Sequence, residues 1–426
     1  MLDIKFIREN PEKVKEALRK RNAELDIGYL LELDGKRRKK IKEVDDLRAK
    51  QNEFSEAVAS ALGSARDEKI RESRKIKTKL GESEFELNAL EEEFASLAYQ
   101  IPNIPFDDVP VGRDECYNVV VREVGEKREF GFTPRDALEI AAALDLIDTE
   151  RAAKVSGSRF GYLKREAVFL EFALVRYALD ALAAKGFIPV VPPVIIKEEM
   201  MKGMGYIDSE KDRAERYFLE KDKQVLVGTS EQSIVPMHAD EILDEGALPL
   251  RYAGFSTCFR REAGSYGKDT HGILRVHQFD KVEMVIFSTP EESRKEHELM
   301  IRIEEELMQG LGIPYRLVAL STGDLSPPSA ATFDIEAWLP GQENSEGQYR
   351  ETHSSSNTTD FQARRLGIKM RRKDGSIGFV HILNGTVFAI GRMAIAILEN
   401  YQQEDGSVRI PPALREYMGG KEIIRK

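Results

Sequence analysis

Two stretches of apolar residues at heptad spacing, separated by a short polar break, most constrain how this chain can fold. The first stretch places Val44, Leu47, Gln51, Phe54, Val58 and Ala61 at alternating intervals of three and four residues. The second continues that spacing through Ile76, Leu80, Ser83, Leu87, Leu90, Phe94 and Leu97. Gly63-Ser64 interrupts the pattern. Residues from about 30 to 99 are therefore predicted to form two helices that pack as an antiparallel coiled-coil arm. Each helix is roughly 45 Å long, too long to lie inside a compact domain.

Basic residues are concentrated on this predicted arm although the whole chain is acidic, with a formal net charge of −10. They are Lys36, Arg37, Arg38, Lys39, Lys40, Lys42, Arg48 and Lys50 on the first helix, and Arg66, Lys69, Arg71, Arg74, Lys75, Lys77 and Lys79 on the second. A run of charges is most often a solvated helix surface. A basic arm on an acidic protein is also suited to phosphate contacts with a helical RNA segment. The pattern alone leaves both interpretations open.

Length and composition set the outer bounds. A chain of 426 residues suggests about two domains. No apolar run is long enough to span a bilayer, and the first ten residues lack the apolar core of a signal peptide, so we expect a cytoplasmic protein with no membrane partner. Cys116 and Cys258 are the only cysteines, which excludes a disulfide scaffold and a multi-cysteine zinc site, so no zinc is expected.

The stretch from Phe255 to Phe287 combines charge with a strand pattern. It reads FSTCFRREAGSYGKDTHGILRVHQFDKVEMVIF, with a glycine-rich turn in the middle and alternation of period two from Ile273 onwards. The pattern predicts a long antiparallel hairpin, one face of which carries Arg260, Glu262, Arg275, Phe279 and Glu283. Such a face is costly to bury without partners. A ligand with phosphate, an amine and a flat ring would satisfy it, whereas an edge hairpin with a solvated face is the simpler alternative.

Four further segments are predicted to form helices, strands or loops of interest. A helix over about 165–185 is followed by a proline-punctuated strand, Phe187 to Ile196. Val225 to Gln232 is predicted as a buried strand that delivers Thr229 and Glu231 to a turn, where the same residues would also suit a helix cap. Residues 350–357 read RETHSSSN, which offers oxygen ligands of the kind that Mg²⁺ prefers but is also typical of a loop. Gly378 to Ile390 is predicted as a strand, after which Gly391-Arg392 opens an apolar helix.

These segments together resemble the class II aminoacyl-tRNA synthetases, and the seryl-tRNA synthetase family in particular. The words FRREAG and RVHQFDKVEM resemble motif 2, the helix and strand at 165–196 resemble motif 1, the segment after Gly378 resembles motif 3, and DFQARR at 360–365 is similar to the family's wording. The resemblance covers nearly the whole chain, arm included. It implies an α+β fold, a class II antiparallel β-sheet flanked by helices. It also implies a tRNA-binding domain at residues 1–104 and a catalytic domain at residues 105–426.

The resemblance implies a two-step reaction in which ATP and L-serine form seryl-adenylate and the seryl group passes to the 3′ end of tRNA(Ser), with tRNA(Sec) as a further expected acceptor. The implied catalytic residues are Arg260, Glu262, Arg275 and Arg392. ATP would contact those four together with Phe279, Glu351 and Ser354, and Glu351 with Ser354 would hold Mg²⁺. The implied serine-binding residues are Thr229, Glu231, Arg260, Glu283, Asn384 and Thr386.

Partners follow from the same resemblance. Expected tRNA contacts are Lys36, Arg37, Arg38, Lys39, Lys40, Arg71, Arg74, Lys75 and Lys268, and motif 1 implies a homodimer. Ser230, His271 and His353 depart from the residues that are usual in the family.

Two rival functions remain for a chain of this kind. The first is a related enzyme that loads an amino acid onto a carrier protein, but such enzymes lack the basic arm. The second is a non-catalytic paralogue, which would be expected to have lost some of Arg260, Glu262, Glu283, Glu351 and Arg392, yet all five are present. The chain contains no GxxxxGK[ST] run and none of the class I signatures HIGH and KMSKS.

Overall fold

The computed structural model describes residues 1–60, 62–263 and 273–426. The chain divides into two compact units, Met1–Arg19 with Ala23–Pro102, and Lys20–Asn22 with Asn103–Lys426. Among the described residues, no helix combines the length and the apolar character that crossing a bilayer requires.

The first unit is helical, and two long helices dominate it. Helices α1 (Ile4–Glu9) and α2 (Pro11–Lys20) precede α3 (Ile27–Ser60) and α4 (Ser64–Gln100). Gly63 separates the long pair with a φ of +62°, a conformation that other residues adopt at a cost. Val44, Leu47 and Leu80 form the buried seam between α3 and α4.

Cross-links between α3 and α4 show their direction. Tyr29 bonds Glu93, Lys40 bonds Glu86 and Arg48 bonds Glu84, so the partner number falls as the chain advances. The two helices therefore run antiparallel, which confirms the predicted coiled-coil arm.

An eight-stranded sheet forms the centre of the second unit. In chain order its strands are β1 (Val119–Val124), β2 (Ile188–Val190), β3 (Leu250–Phe259), β4 (Gln278–Ser288), β5 (Tyr315–Ala319), β6 (Ala331–Leu339), β7 (Gln348–Asn357) and β8 (His381–Ala389). Their order across the sheet is β1-β5-β6-β7-β8-β4-β3-β2. All neighbouring pairs are antiparallel except β2 with β3, which are parallel.

The longest helices that pack apolar faces against this sheet are α5 (Glu166–Ala184), α6 (Ser293–Gly310) and α7 (Ile390–Asn400). On α5 the buried residues Leu170, Leu174, Ala178 and Leu182 recur every four residues, the spacing of one helix face. They belong to a single large core cluster that also contains Met284, Phe388 and Ile397. One side of the sheet is thereby closed by apolar packing.

The remaining elements are short. The other helices are Ala137–Ala143, Thr149–Ser156, Glu198–Met204, Glu210–Ala214, Glu231–Ile234, Gln342–Ser345 and Phe361–Leu366. The 3₁₀ turns are Glu115–Tyr117, Glu220–Asp222, Val235–His238, Glu245–Ala247 and Pro412–Leu414. The smaller strands are Ile147–Asp148, Tyr162–Leu163, Ile195–Lys197, Phe218–Leu219, Gln224–Leu226, Ile242–Asp244, Lys369–Arg371, Ile377–Phe379, Val408–Arg409 and Ile423–Ile424.

Four predicted strand elements differ from the observed ones. The strand predicted over Val225–Gln232 ends at Leu226, and Glu231 begins the short helix Glu231–Ile234, since Ser230 already has helical backbone angles (φ −64°, ψ −25°). The hairpin of β3 and β4 forms, but its strands end at Phe259 and resume at Gln278, so Arg260, Glu262 and Arg275 lie beyond the strand ends. Glu262 has a φ of +51°, which is incompatible with an extended strand.

The other two strands are each divided. The predicted strand Phe187–Ile196 is split around Pro192-Pro193, since proline cannot donate to a ladder, and the strand predicted from Gly378 is broken at Val380.

Candidate functional site

Two adjoining cavities open on the face of the sheet near the end of the β3–β4 hairpin. The first is lined by Arg260, Glu262, Arg275, Phe279, Glu351 and Arg392, with apolar residues around them. The second is lined by Thr229, Glu231, Arg260, Glu283, Ser354, Asn384 and Thr386, among others. Arg260, Glu262, Arg275 and Glu351 contact both cavities. Every predicted ATP-binding and serine-binding residue thus lines one cavity or both.

Arg260 lies where the two cavities meet. Its guanidinium carbon is 5.4 Å from the centre of the Phe279 ring, within the range of a cation–π contact. Its Nε donates to the carbonyl oxygen of Gly228 at 3.2 Å, which fixes the direction of the planar fork. The terminal nitrogens of that fork can then meet a carboxylate or phosphate in two places at once.

Ion pairs bring the other charged residues of the first cavity together. Arg275 Nη1 donates to Glu262 Oε2 at 2.8 Å. Arg392, in the first turn of α7, places Nη1 3.1 Å from Glu351 Oε2. The first cavity measures about 60 Å³ and the second about 500 Å³.

Facing strands and one turn bring the polar side chains of the second cavity into contact. Glu283 on β4 is paired in register with Thr386 on β8, and Glu283 Oε2 accepts hydrogen bonds from Thr229 (3.2 Å) and Thr386 (3.3 Å). The buried atoms there with no hydrogen-bond partner among the described residues include Glu231 Oε2 and Asn384 Nδ2. Because buried polar atoms are normally paired, an acceptor and a donor remain available for a ligand.

The carboxyl group of Glu231 titrates near neutral pH. Burial raises its pKa to about 7, and the nearby Glu283 carboxylate acts in the same direction. Lys281, Arg260 and a 2.7 Å hydrogen bond from Tyr206 oppose that rise. A cationic group in the second cavity would favour the ionised form.

Sequence reasoning missed Lys281, which lines both cavities. Lys281 is only 5 % exposed, forms an ion pair with Glu283, and places Nζ 3.2 Å from Thr386 Oγ1. The signal was present, since Lys281 lies two residues from Phe279 and from Glu283, and period two puts all three on one strand face. Tyr206 and Ser326 also line the second cavity and were not singled out.

Oxygen ligands suited to a divalent cation lie on β6 and β7. Glu351 and Ser354 are both on β7, and Ser354 is paired in register with Asp334 on β6. The side chain of Ser354 bonds Asp334, whose Oδ1 is buried with no partner among the described residues. Burial opposes ionisation of Glu351, but the Arg392 guanidinium overcomes it and lowers the pKa of that carboxyl. This donor set fits Mg²⁺, which prefers oxygen ligands. The described residues contain no group of three or more His, Cys, Asp or Glu side chains that could hold a metal.

Two residues that depart from the family pattern point away from the cavities. His353 is fully buried, lies edge-on to Phe388 with 5.6 Å between ring centres, and bonds Thr352. Ser230 is fully buried and donates to the carbonyl of Gly254 at 3.4 Å. A Cβ at residue 254 would approach Ser230 Oγ to 2.6 Å, so glycine makes room for this serine. Lys268 and His271 lie outside the described residues.

The predicted tRNA-contacting residues on the arm fall into two groups. Lys36 bonds Glu32, Arg37 and Arg38 bond Asp34, and Lys40 bonds Glu43 and Glu86. Lys39, Arg71, Arg74 and Lys75 are exposed, and the described part of the chain gives them no ion pair. The second group is therefore the more available for an external phosphate.

Comparison with known proteins identifies the family. Residues 1–105 match the model of the seryl-tRNA synthetase N-terminal domain, and residues 217–401 match that of the tRNA synthetase class II core domain (G, H, P, S and T). The chain is 46 % identical to a serine–tRNA ligase of Dictyoglomus turgidum, over 100 % of both chains. It is 45 % identical to one of Rubrobacter xylanophilus, over 100 % of this chain and 99 % of the relative.

Solved structures give the same result. The seryl-tRNA synthetase of Pyrococcus horikoshii complexed with ATP superposes with a TM-score of 0.89 at 44 % identity, covering 100 % of this chain and 99 % of the other. The cytoplasmic serine–tRNA ligase of Naegleria fowleri in complex with AMP gives 0.86 at 35 % identity with the same coverage. The chain belongs to the seryl-tRNA synthetase family of class II aminoacyl-tRNA synthetases.

Proposed function

We propose that this protein is a serine–tRNA ligase, which activates L-serine with ATP and transfers the seryl group to the 3′ end of tRNA(Ser). The observation that carries the proposal is the convergence of Arg260, Phe279 and Arg392 on one cavity that adjoins a second, polar one. A nucleotide and a small amino acid would bind side by side, with Arg260 between them. Membership of the family supports the same activity.

In the first cavity, each side chain has a role that its chemistry allows. The Phe279 ring and the Arg392 guanidinium would hold the adenine between them by stacking and cation–π attraction. Glu262 would accept a hydrogen bond from the adenine amino group, and Arg275 would turn from Glu262 towards the outer phosphates. Arg392 would share that phosphate charge, because its guanidinium lies at the start of a helix where anions are already favoured.

In the second cavity, a carboxylate and a hydroxyl provide the contacts that serine needs. Glu231 and Thr229 would take up the serine ammonium group, and Glu283, Asn384 and Thr386 would bond the hydroxyl. A site that hydrogen-bonds a hydroxyl rejects alanine strongly, because its own buried polar groups would be left unpaired. Asn384 Nδ2, unpaired within the described residues, is a donor suited to that role.

The reaction itself is a pair of displacements. An oxygen of the serine carboxylate attacks the α-phosphorus, a new P–O bond forms and pyrophosphate leaves. A ribose hydroxyl of the terminal adenosine of tRNA then attacks the carbonyl carbon, and AMP leaves. Arg260 would orient the carboxylate and the α-phosphate, so positioning and charge stabilisation account for the rate.

Mg²⁺ is proposed as the cofactor, held by Glu351 and Ser354 with Asp334 beside them. When bound, it supplies positive charge to the phosphate oxygens of ATP. Glu351 would be held ready for it by Arg392, which pairs with that carboxylate.

The remaining partners rest on the family and on surface features. We propose that residues 1–104, with the arm, bind tRNA(Ser) and also tRNA(Sec), and that the protein acts in the cytoplasm as a homodimer. Phe169 and Phe172 on α5 are 62 % and 58 % exposed, an apolar surface that a second copy would cover.

ATP–pyrophosphate exchange with each of the twenty amino acids in turn tests the activity. Exchange with serine alone supports the proposal. No exchange with any amino acid would indicate the non-catalytic paralogue, and exchange with a different amino acid would identify another activity of the class II core. Charging of tRNA(Ser) transcript separates the second step from the first.

A further inference from the structure

Two residues hold every carbonyl group of a loop beside the second cavity. Residues 325–329, which we call the rim loop, read Leu-Ser-Pro-Pro-Ser. Arg21 Nη2 donates to the carbonyls of Leu325 (3.0 Å) and Ser326 (2.7 Å), and Nη1 donates to that of Ser329 (2.7 Å). The Asn103 backbone N–H donates to Pro327 O (2.8 Å), and its Nδ2 donates to Pro328 O (2.9 Å).

The composition of the rim loop explains why it needs outside donors. Pro327 and Pro328 have no N–H group, so the loop cannot build a ladder of its own. A carbonyl group that is removed from water without a donor costs free energy. The forked guanidinium of Arg21 can reach several carbonyls at once, which a lysine ammonium on its flexible stem cannot reproduce.

Asn103 is used completely. It is 3 % exposed, and besides the rim loop its Nδ2 lies within hydrogen-bond distance of Thr358 O (2.8 Å) and Thr359 Oγ1 (3.0 Å), just after β7, so that its two hydrogens are shared among three acceptors. Its Oδ1 accepts from the N–H of Ile104 at 2.9 Å. Asn103 therefore ties the rim loop to the end of a strand that carries Glu351 and Ser354.

Arg21 is a cation whose bonds go to neutral groups. Besides the rim loop it donates to the carbonyl of Asn103 at 3.3 Å, and no carboxylate among the described residues accepts a hydrogen bond from it. Burial lowers its pKa to about 10. Removing a guanidinium from water without a carboxylate partner costs free energy. We therefore infer that the position of the rim loop is important enough to offset this cost.

The rim loop reaches the second cavity through Ser326, which lines it together with Thr229, Glu231 and Asn384. Among the described residues that line this cavity, neither Arg21 nor Asn103 appears. We propose that Arg21 and Asn103 are positioning residues for the amino-acid site, acting by holding the rim loop so that Ser326 closes one side of the cavity. This inference rests on the proposed function, because it assumes that the second cavity binds serine.

The test compares Arg21→Lys and Asn103→Ala with the unaltered full-length protein. Arg21→Lys keeps the charge and loses the fork, and Arg21→Gln is a second variant if Arg21→Lys does not fold, as judged by its thermal unfolding. ATP–pyrophosphate exchange gives KM for serine, KM for ATP and kcat, and hydrogen–deuterium exchange follows peptides that cover residues 325–329. Arg19→Lys is the matched control, since Arg19 is an exposed residue on the same helix as Lys20.

We expect faster deuterium uptake at the rim loop and a rise of about tenfold in KM for serine, with kcat and KM for ATP close to those of the unaltered protein. Arg19→Lys should change none of these. The proposal is overturned if uptake at the rim loop does not change, if it increases with KM for serine unaltered, or if both KM values rise equally. Absence of serine exchange in the unaltered protein would instead refute the proposed function, and the uptake measurement would still report on the loop.

Discussion

Arg392 bonds Glu351 twice, through the carboxylate (Nη1 to Oε2, 3.1 Å) and through the backbone carbonyl (Nη1 to O, 2.8 Å). This double contact joins the first turn of α7 to β7. Arg392 Nε also donates to the carbonyl of Leu274 at 3.4 Å. The proposed adenine-binding guanidinium is thus held in place by the residue proposed to bind Mg²⁺. Substitutions at either residue should change the kinetic constants for ATP more than those for serine.

Arg392→Lys should lower kcat/KM for ATP by about 100-fold while leaving KM for serine nearly unchanged. Lysine keeps the charge but loses the planar fork and the stacking surface, and removing one donor to developing charge typically costs a factor of this size. Pyrophosphate exchange at varied ATP measures the effect. Arg409→Lys, at an exposed position, is the control, and an equal effect on the serine KM would contradict the division into two cavities.

Glu351→Gln should raise the Mg²⁺ concentration that gives half-maximal exchange by about tenfold. The amide keeps one oxygen ligand but removes the negative charge on which cation affinity depends. A titration with Mg²⁺ at constant ATP measures this, and Mn²⁺ binding followed by its spin resonance in the presence of ATP provides a readout independent of activity. Glu346→Gln, exposed on the same part of the chain, should behave like the unaltered protein.

Serine binding should weaken as the pH falls below neutrality. Glu231, with a pKa of about 7, is mostly protonated at pH 6 and mostly ionised at pH 8. Because only the ionised carboxylate attracts the serine ammonium, KM for serine should be roughly tenfold higher at pH 6 than at pH 8. The KM for ATP over the same range, and a Glu231→Gln variant, are the controls. A serine KM that is flat in the unaltered protein would rule out this role for Glu231.

Lys281→Met should destabilise the fold by about 3 kcal/mol, because it leaves Glu283 buried without its ion-pair partner. The double variant Lys281→Met/Glu283→Gln should recover part of that loss, since the uncompensated charge is gone. Denaturant unfolding of Lys281→Met, Glu283→Gln and the double variant completes the cycle. Lys295→Met removes an exposed ion pair and should cost less than about 1 kcal/mol. Additive losses in the cycle would show that the pair is not coupled.

Reversing the charge of Lys39, Arg74 and Lys75 should weaken tRNA charging by more than tenfold at physiological salt, because each cation neutralises a phosphate. Pyrophosphate exchange should not change. Reversing Lys36 and Lys40, which already bond acidic residues of the arm, should have a smaller effect on charging. Aminoacylation at two salt concentrations measures both. Equal loss of exchange and charging would refute a role confined to tRNA.

Periodicity and turn chemistry predicted the arm and the hairpin, but not where individual strands end. The heptads around Val44 and Leu80 predict the arm, because apolar residues at heptad spacing form the buried contact between two helices. Gly63 lies at the turn between them. The hairpin of β3 and β4 was equally predictable, whereas the bend at Glu262 was not, since a positive φ at a glutamate leaves no trace in the pattern. The candidate site residues came from the motifs, and Lys281 was missed although period two places it on their strand face.

The sequence by itself therefore determined which charged, hydroxyl-bearing and aromatic side chains are candidates for the site, and which segments tend to form helix or strand. Tertiary structure alone decided that Arg21, Asn103 and Ser326, more than 300 positions apart at the extremes, form one support, because hydrogen bonds to backbone carbonyls depend on position in space and not on residue type. It also decided the protonation of Glu231, because a pKa depends on burial and on neighbours that the chain brings together only on folding.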